Sequence, residues 1–323
     1  MIQTVDQAVE LLQDLFRGRF QLGDELGATS WSRVFRAKDL ASGKAVLVKI
    51  VDASRRTSLF ENFLLYQRQA KARERLSHRR IPPFVAAQRG QGGVVLVEGL
   101  VEGTPLSRLL RRTCVPPSCV LTLISQLSEA LAPYHDAGFF HLNLTPSNII
   151  LAGLRPDADL IDPRDIDAHI VSFGHSVLGD SSSTGEEAAE SCAYSAPERI
   201  GMLTQIPDGR ADIYSMGVTA YRLLAGRLPY DGETTAAYLH RVMATRPLAL
   251  KPWAPDVSPE LENLIIEMTA RRPEDRPKTT PEVLGKLQDL GVRDRESRDA
   301  DSGKARASGA GLDLVERGSS SGG

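Results

Sequence analysis

Residues 211–226, ADIYSMGVTAYRLLAG, are apolar nearly all the way round a helix of 3.6 residues per turn. A helix with no polar face has to be surrounded, so the chain must build a helical body around this segment. Candidates for that body lie on both sides. VLTLISQLSEALAPYHDAG (120–138) is a long apolar-periodic stretch closed by Gly138. PELENLIIEMTA (259–270) and TPEVLGKLQDLG (280–291) read as helices packed on its surface, with Ser258 and Thr280 as caps ahead of Pro259 and Pro281.

Ahead of this body the pattern changes. From Phe20 to about Glu102 the runs FQLGDELG, SRVFRAKD and AVLVKIV read as antiparallel strands, the last two joined by a turn at Ala41–Lys44. VVLVEGL, after Gly92-Gly93, reads as a buried strand, and residues 58–76 as one main helix between strands. A further helix opens the chain. Val5, Ala8, Val9, Leu12, Leu15 and Phe16 form one stripe, and Thr4 with Gln7 predicts a capping box.

The remaining composition excludes several classes. Lys and Arg number 39 against 41 Asp and Glu, a net charge of −2, which removes the electrostatic case for a nucleic-acid partner. No stretch approaches the roughly 18 apolar residues of a membrane span. MIQTVDQAVELLQDLF lacks the basic lead of a secretory signal. Three cysteines, Cys114, Cys119 and Cys192, make no disulfide framework and suit a reducing, cytoplasmic setting. Residues 292–323, with no aromatic and many Ser, Gly, Arg and Asp, read as a disordered tail or linker.

Seven motifs then fall in one order: LGATSWSRV, VLVKI, HLNLTPSN, SFG, SAPE, DIYSMGV and RRPEDRP. In that order and on those elements the chain resembles the eukaryotic-type Ser/Thr protein kinase family. The resemblance implies an α+β, bilobal fold: a small antiparallel-sheet N-lobe with one main helix, and a larger helical C-lobe. The expected division is an N-terminal helix at 1–19, N-lobe at 20–103, C-lobe at 104–291 and tail at 292–323.

The resemblance also shows where the chemistry is altered. Of three loop glycines only Gly27 remains; Thr29 and Ser32 hold the other positions. Either the loop still covers a nucleotide, through hydroxyls, or it is a plain turn. Lys49 stands where the family binds the α/β-phosphates, but Gln69 replaces the helix glutamate that would pair with it, and Glu61 and Glu74 face elsewhere. Asn143 replaces the catalytic aspartate, Leu142 the preceding arginine and Thr145 the following lysine. An amide oxygen accepts a hydrogen bond but takes up no proton. The metal asparagine is kept as Asn148, while Ser172 replaces the acid ahead of Phe173 and Gly174, leaving two neutral ligands. The family's structural residues are kept: His141, Glu198, Asp212 and Arg276.

The pattern resembles a pseudokinase: a signalling scaffold or allosteric module, with ATP as the implied ligand, Mg²⁺ weak or absent, and an active kinase or its substrate as the implied protein partner. The alternative is a weak or unconventional Ser/Thr kinase that transfers the ATP γ-phosphate to protein hydroxyls, with the acids of 157–167 as substitute metal ligands or as a solvated loop. Three further points stay open. Ser181–Thr184 forms either a phosphorylation site or a flexible loop. Arg68, Lys71, Arg73, Arg75, Arg79 and Arg80 form either a dock for an acidic partner or a solvated helix face. The residue at the entrance to the nucleotide pocket is Val97 or Glu98.

Overall fold

The computed structural model describes residues 4–28, 32–52, 76–90, 93–110, 115–155, 162–173 and 191–290. Residues 58–75 of the helix expected at 58–76, Cys114, the loop at 181–184 and the tail at 292–323 lie outside these residues.

The N-terminal helix α1 (Val5–Phe16) starts with the expected capping box. The Thr4 hydroxyl accepts from Gln7 N–H at 3.3 Å, and the Gln7 side chain accepts from Thr4 N–H at 3.2 Å. It ends where Arg17 and Gly18 turn left-handed. Strands β1 (Phe20–Ala28), β2 (Ser32–Asp39), β3 (Ala45–Asp52), β4 (Phe84–Arg89) and β5 (Gly93–Gly99) form one antiparallel sheet in the order β1-β2-β3-β5-β4. The alternation of strand side chains divides this sheet. Phe35, Val46, Val48, Ile50, Val95 and Val97 face α1 and form one core with Ala8, Leu12 and Phe16. The sheet is tied at its edge by Arg19, whose guanidinium donates twice to buried Asp39 at 3.0 Å.

The second lobe is larger and mostly helical. A small sheet of β6 (Gly103–Pro105), β7 (Ile149–Ala152) and β8 (Ala168–Ile170) lies near its top. Among the described residues its helices include α2 (Leu106–Leu109), α3 (Pro117–Asp136), α4 (Gly209–Ala225), α5 (Thr235–Ala244), α6 (Pro259–Met268) and α7 (280–290). Helix α4 is the surrounded helix expected from its sequence: fourteen of its residues are buried. Gly217 lets α6 approach it, since a Cβ there would stand 2.7 Å from the Met268 Cβ.

Ser258 caps α6 through Leu261 N–H. The cap of α7 differs from expectation. Thr279, not Thr280, accepts from Glu282 N–H, because Thr280 is buried with its hydroxyl unpaired. Arg80 departs from the solvated basic face as well. It is 4% exposed and donates to Asp167 at 2.6 Å and to the Ala168 carbonyl, joining the β4 approach to β8. Among the described residues no helix is long and apolar enough to cross a membrane.

Candidate active site

The loop between α3 and β7 carries the site, and it is held from below. Asp212, fully buried in the first turn of α4, accepts from His141 N–H at 2.8 Å, Leu142 N–H at 2.7 Å and the His135 ring at 2.9 Å. Burial alone would raise this carboxyl. The hydrogen bond and charge of His135, with the charge and N–H of His141, outweigh it and hold the group below the usual carboxylate range. The aspartate fixes backbone that would otherwise be costly, because Leu142 sits at φ 58°. Arg199 adds a bond to the Leu142 carbonyl at 2.7 Å.

The His141 ring joins this loop to the next segment through the Val171 carbonyl at 3.0 Å. Phe173, 4% exposed, packs edge-on to that ring and against Tyr134. Deeper still, Glu198 and Arg276 form a buried bidentate pair at 2.6 and 2.9 Å. Arg276 also donates to the Ala270, Arg210 and Arg271 carbonyls.

On the upper side of the same loop the groups are neutral. The Asn143 Oδ1 accepts from the Ser191 hydroxyl at 3.3 Å, which leaves its NH₂ to point elsewhere. Where proton transfer needs an acceptor, this residue offers an amide. Asn148 donates from Nδ2 to the Asn143 carbonyl at 2.8 Å, leaving Oδ1 as its atom for a cation. Thr145 is buried and presents no charge to the cleft. Ser172 stands at φ 61°, a conformation rare outside glycine, with Val171 N–H bonded to the Asn148 carbonyl at 3.0 Å.

Asn148 and Ser172 do not fit Mg²⁺, which is held through carboxylates and phosphate oxygens. Among the described residues no group of three or more His, Cys, Asp and Glu could hold a metal. Of the acids between 157 and 167, Asp162 binds Arg164 and Asp167 binds Arg80 and His169. Asp157 and Asp159 lie outside the described residues.

The roof of the cleft comes from the sheet. Lys49 on β3 stands opposite Leu96 on β5, and Leu47 opposite Glu98. Since Val46, Val48, Ile50, Val95 and Val97 face α1, the period of two turns Leu47, Lys49, Leu96 and Glu98 to the other face. This resolves the two registers left open by the sequence. Val97 is core at 1% exposure, and Glu98 faces the cleft. There its carboxylate accepts from Ser172 N–H at 3.2 Å, a direct bond between the lobes. At Gly27 a Cβ would meet open space, so among the described residues no close neighbour requires the glycine. Ser32 is buried at the start of β2. Thr29, Gln69 and Gly174 lie outside the described residues.

Two residues of this site carried no motif signal. Ser191 reaches Asn143 across 48 positions of sequence. Glu98 was one of two choices in an apolar run, and only the pairing of β5 with β3 separates them.

A five-stranded lobe over a helical lobe, with a lysine-bearing roof and an Asp-supported loop between them, is a bilobal kinase-type architecture. Residues 20–286 match the family model described as protein kinase domain, and the chain belongs to that family. Among its relatives are Serine/threonine-protein kinase pkn3 of Myxococcus xanthus, 29% identical over 294 residues, and Serine/threonine-protein kinase Pkn1 of the same organism, 30% identical over 262 residues. The pkn3 alignment covers 87% of this chain and 51% of the relative; for Pkn1 the shares are 80% and 36%. The chain thus spans about half or less of these relatives. The crystal structure of Rad53 1-466 in complex with AMP-PNP has the same fold, with a TM-score of 0.64 at 22% identity, covering 86% of this chain and 67% of that one.

Proposed function

We propose that this chain is a protein-kinase domain that takes ATP between its lobes and is impaired in phosphotransfer, acting as a signalling scaffold or allosteric module toward a protein partner, an active kinase or its substrate. The observation that carries the reading is Asn143: its amide oxygen is engaged by Ser191, and no carboxylate stands at this point of the loop. Ser172 and Thr145 support it, since they stand where the family carries a metal-binding aspartate and a charge-stabilising lysine. Each such group is worth about 2–4 kcal/mol of barrier, so their joint loss removes several powers of ten in rate, without being additive.

A second reading, an active Ser/Thr protein kinase, is favoured by the relatives, whose names are those of Ser/Thr kinases. These names fit this alternative better than they fit an impaired domain. ATP itself is supported by the family and by the AMP-PNP complex of Rad53.

One experiment separates the two. ATP binding is measured by calorimetry and thermal shift with and without Mg²⁺, beside a radiolabel transfer assay on the same preparation. Nucleotide at about 100 Kd stabilises a binder by about 2.7 kcal/mol. Binding without transfer is the expected result. Transfer that Lys49→Ala abolishes establishes the active kinase instead.

A further inference from the structure

The back of the cleft carries a charge that neither the motifs nor the comparisons assign. Glu98 and Lys49 lie on one face of the β3–β5 pair as diagonal neighbours, because Glu98 is opposite Leu47 and Lys49 opposite Leu96. Diagonal positions of an antiparallel pair are within reach of long side chains. The Glu98 carboxylate is held in place from the other lobe by the Ser172 N–H at 3.2 Å. Both side chains are only part-exposed, and both are engaged by further interactions. A lysine partly shielded from water gains from a counter-charge, and in the sequence Gln69 stands where the family resemblance expects the glutamate that supplies one.

We propose that Glu98 is a resident competitor for Lys49: a carboxylate of the chain itself that answers the lysine and makes the cleft discriminate against nucleotide phosphates. The proposal rests on the reading that a nucleotide enters between the lobes. A carboxylate and a phosphate make the same claim on one ammonium group, and two anions beside it repel each other. A nucleoside without phosphates meets no such repulsion. Glu98 is therefore a specificity-determining residue, set against the polyphosphate rather than against the base.

The test compares ATP and adenosine, both without divalent cation, on the whole chain. Glu98→Gln keeps an oxygen that accepts from Ser172 N–H and removes the charge. It is expected to tighten ATP about tenfold more than it changes adenosine. Lys49→Met is expected to erase that gain when combined with Glu98→Gln. Equal changes for ATP and adenosine, no change for ATP, or a gain that survives Lys49→Met each overturn the proposal while adenosine binding upholds the cleft. If neither ligand binds the native chain or any variant, the nucleotide reading fails and the proposal with it. A measurement on the native chain needs no variant to fold: ATP is expected to bind no more tightly than adenosine, and ATP that binds at least about tenfold more tightly overturns the proposal.

Discussion

The two sides of one short loop, residues 141–148, differ in kind. Beneath it, Asp212 is buried and saturated by three donors, and further down Glu198 and Arg276 are buried and bidentate. Above it, Asn143, Thr145, Asn148 and Ser172 are neutral. The lower charges each satisfy backbone or another charge, so their loss leaves an unpaired buried group. An acid on the upper side would answer to substrate and metal, and the fold does not depend on it. The upper acids can therefore disappear without unfolding the domain, whereas the lower ones cannot. A chain of this family can lose its chemistry and keep its shape because the two sets of carboxylates serve different partners.

The largest expected effect crosses this divide from above. Asn143→Asp with Ser172→Asp is expected to raise Mg²⁺-dependent phosphotransfer by about 100-fold or more over the native chain, read by radiolabel transfer. Asn143→Asp alone still accepts from Ser191, and its stability is expected to stay within about 0.5 kcal/mol. If the double variant transfers no more phosphate than its parent, Asn143 and Ser172 are not what sets the rate.

From below the effect is on folding. Glu198→Gln leaves the buried Arg276 charge without its counter-ion and is expected to cost about 3–5 kcal/mol in urea denaturation. A cost under about 1 kcal/mol would erase the contrast between the two sides. Asp212→Asn keeps one acceptor but turns an NH₂ toward the loop's own N–H groups. It is expected to cost about 1.5–3 kcal/mol and to speed hydrogen exchange at His141 and Leu142.

The smallest effect concerns acid. The hydrogen bonds from Arg19, then those from Ser42 and Ala41, hold the Asp39 carboxyl at about 2, while its value in an unfolded chain is about 3.9. The unfolded chain thus takes up the proton first as pH falls. The stability contributed by this group is complete above about pH 4 and is lost as pH drops toward about 2. Asp39→Asn is expected to flatten the acid limb of the melting-temperature profile over that window.

Much of this was legible in the sequence. The surrounded helix α4, the strand-to-helix division and the Thr4–Gln7 box follow from periodicity and capping chemistry, which are local. What escaped was set by long-range pairing. The run VVLVEGL is apolar on both parities, so no periodicity decides whether Val97 or Glu98 turns inward; the alignment of β5 on β3 does. Arg80 looked like one more member of a basic run until Asp167, from the other lobe, claimed it. Thr279 and Thr280 are chemically equivalent as caps, and only burial of the second assigns the role to the first.

Helix α1 precedes the stretch matched by the family model, yet Ala8, Leu12 and Phe16 belong to the same core as Phe35, Val48 and Ile50. The stretch that the family model matches is therefore smaller than the folding unit. A fragment cut at residue 20, where that match begins, would bare the outer face of three central strands. That greasy, flat surface would adhere to other copies of itself, and an insoluble fragment would report a misplaced boundary rather than an unstable kinase domain.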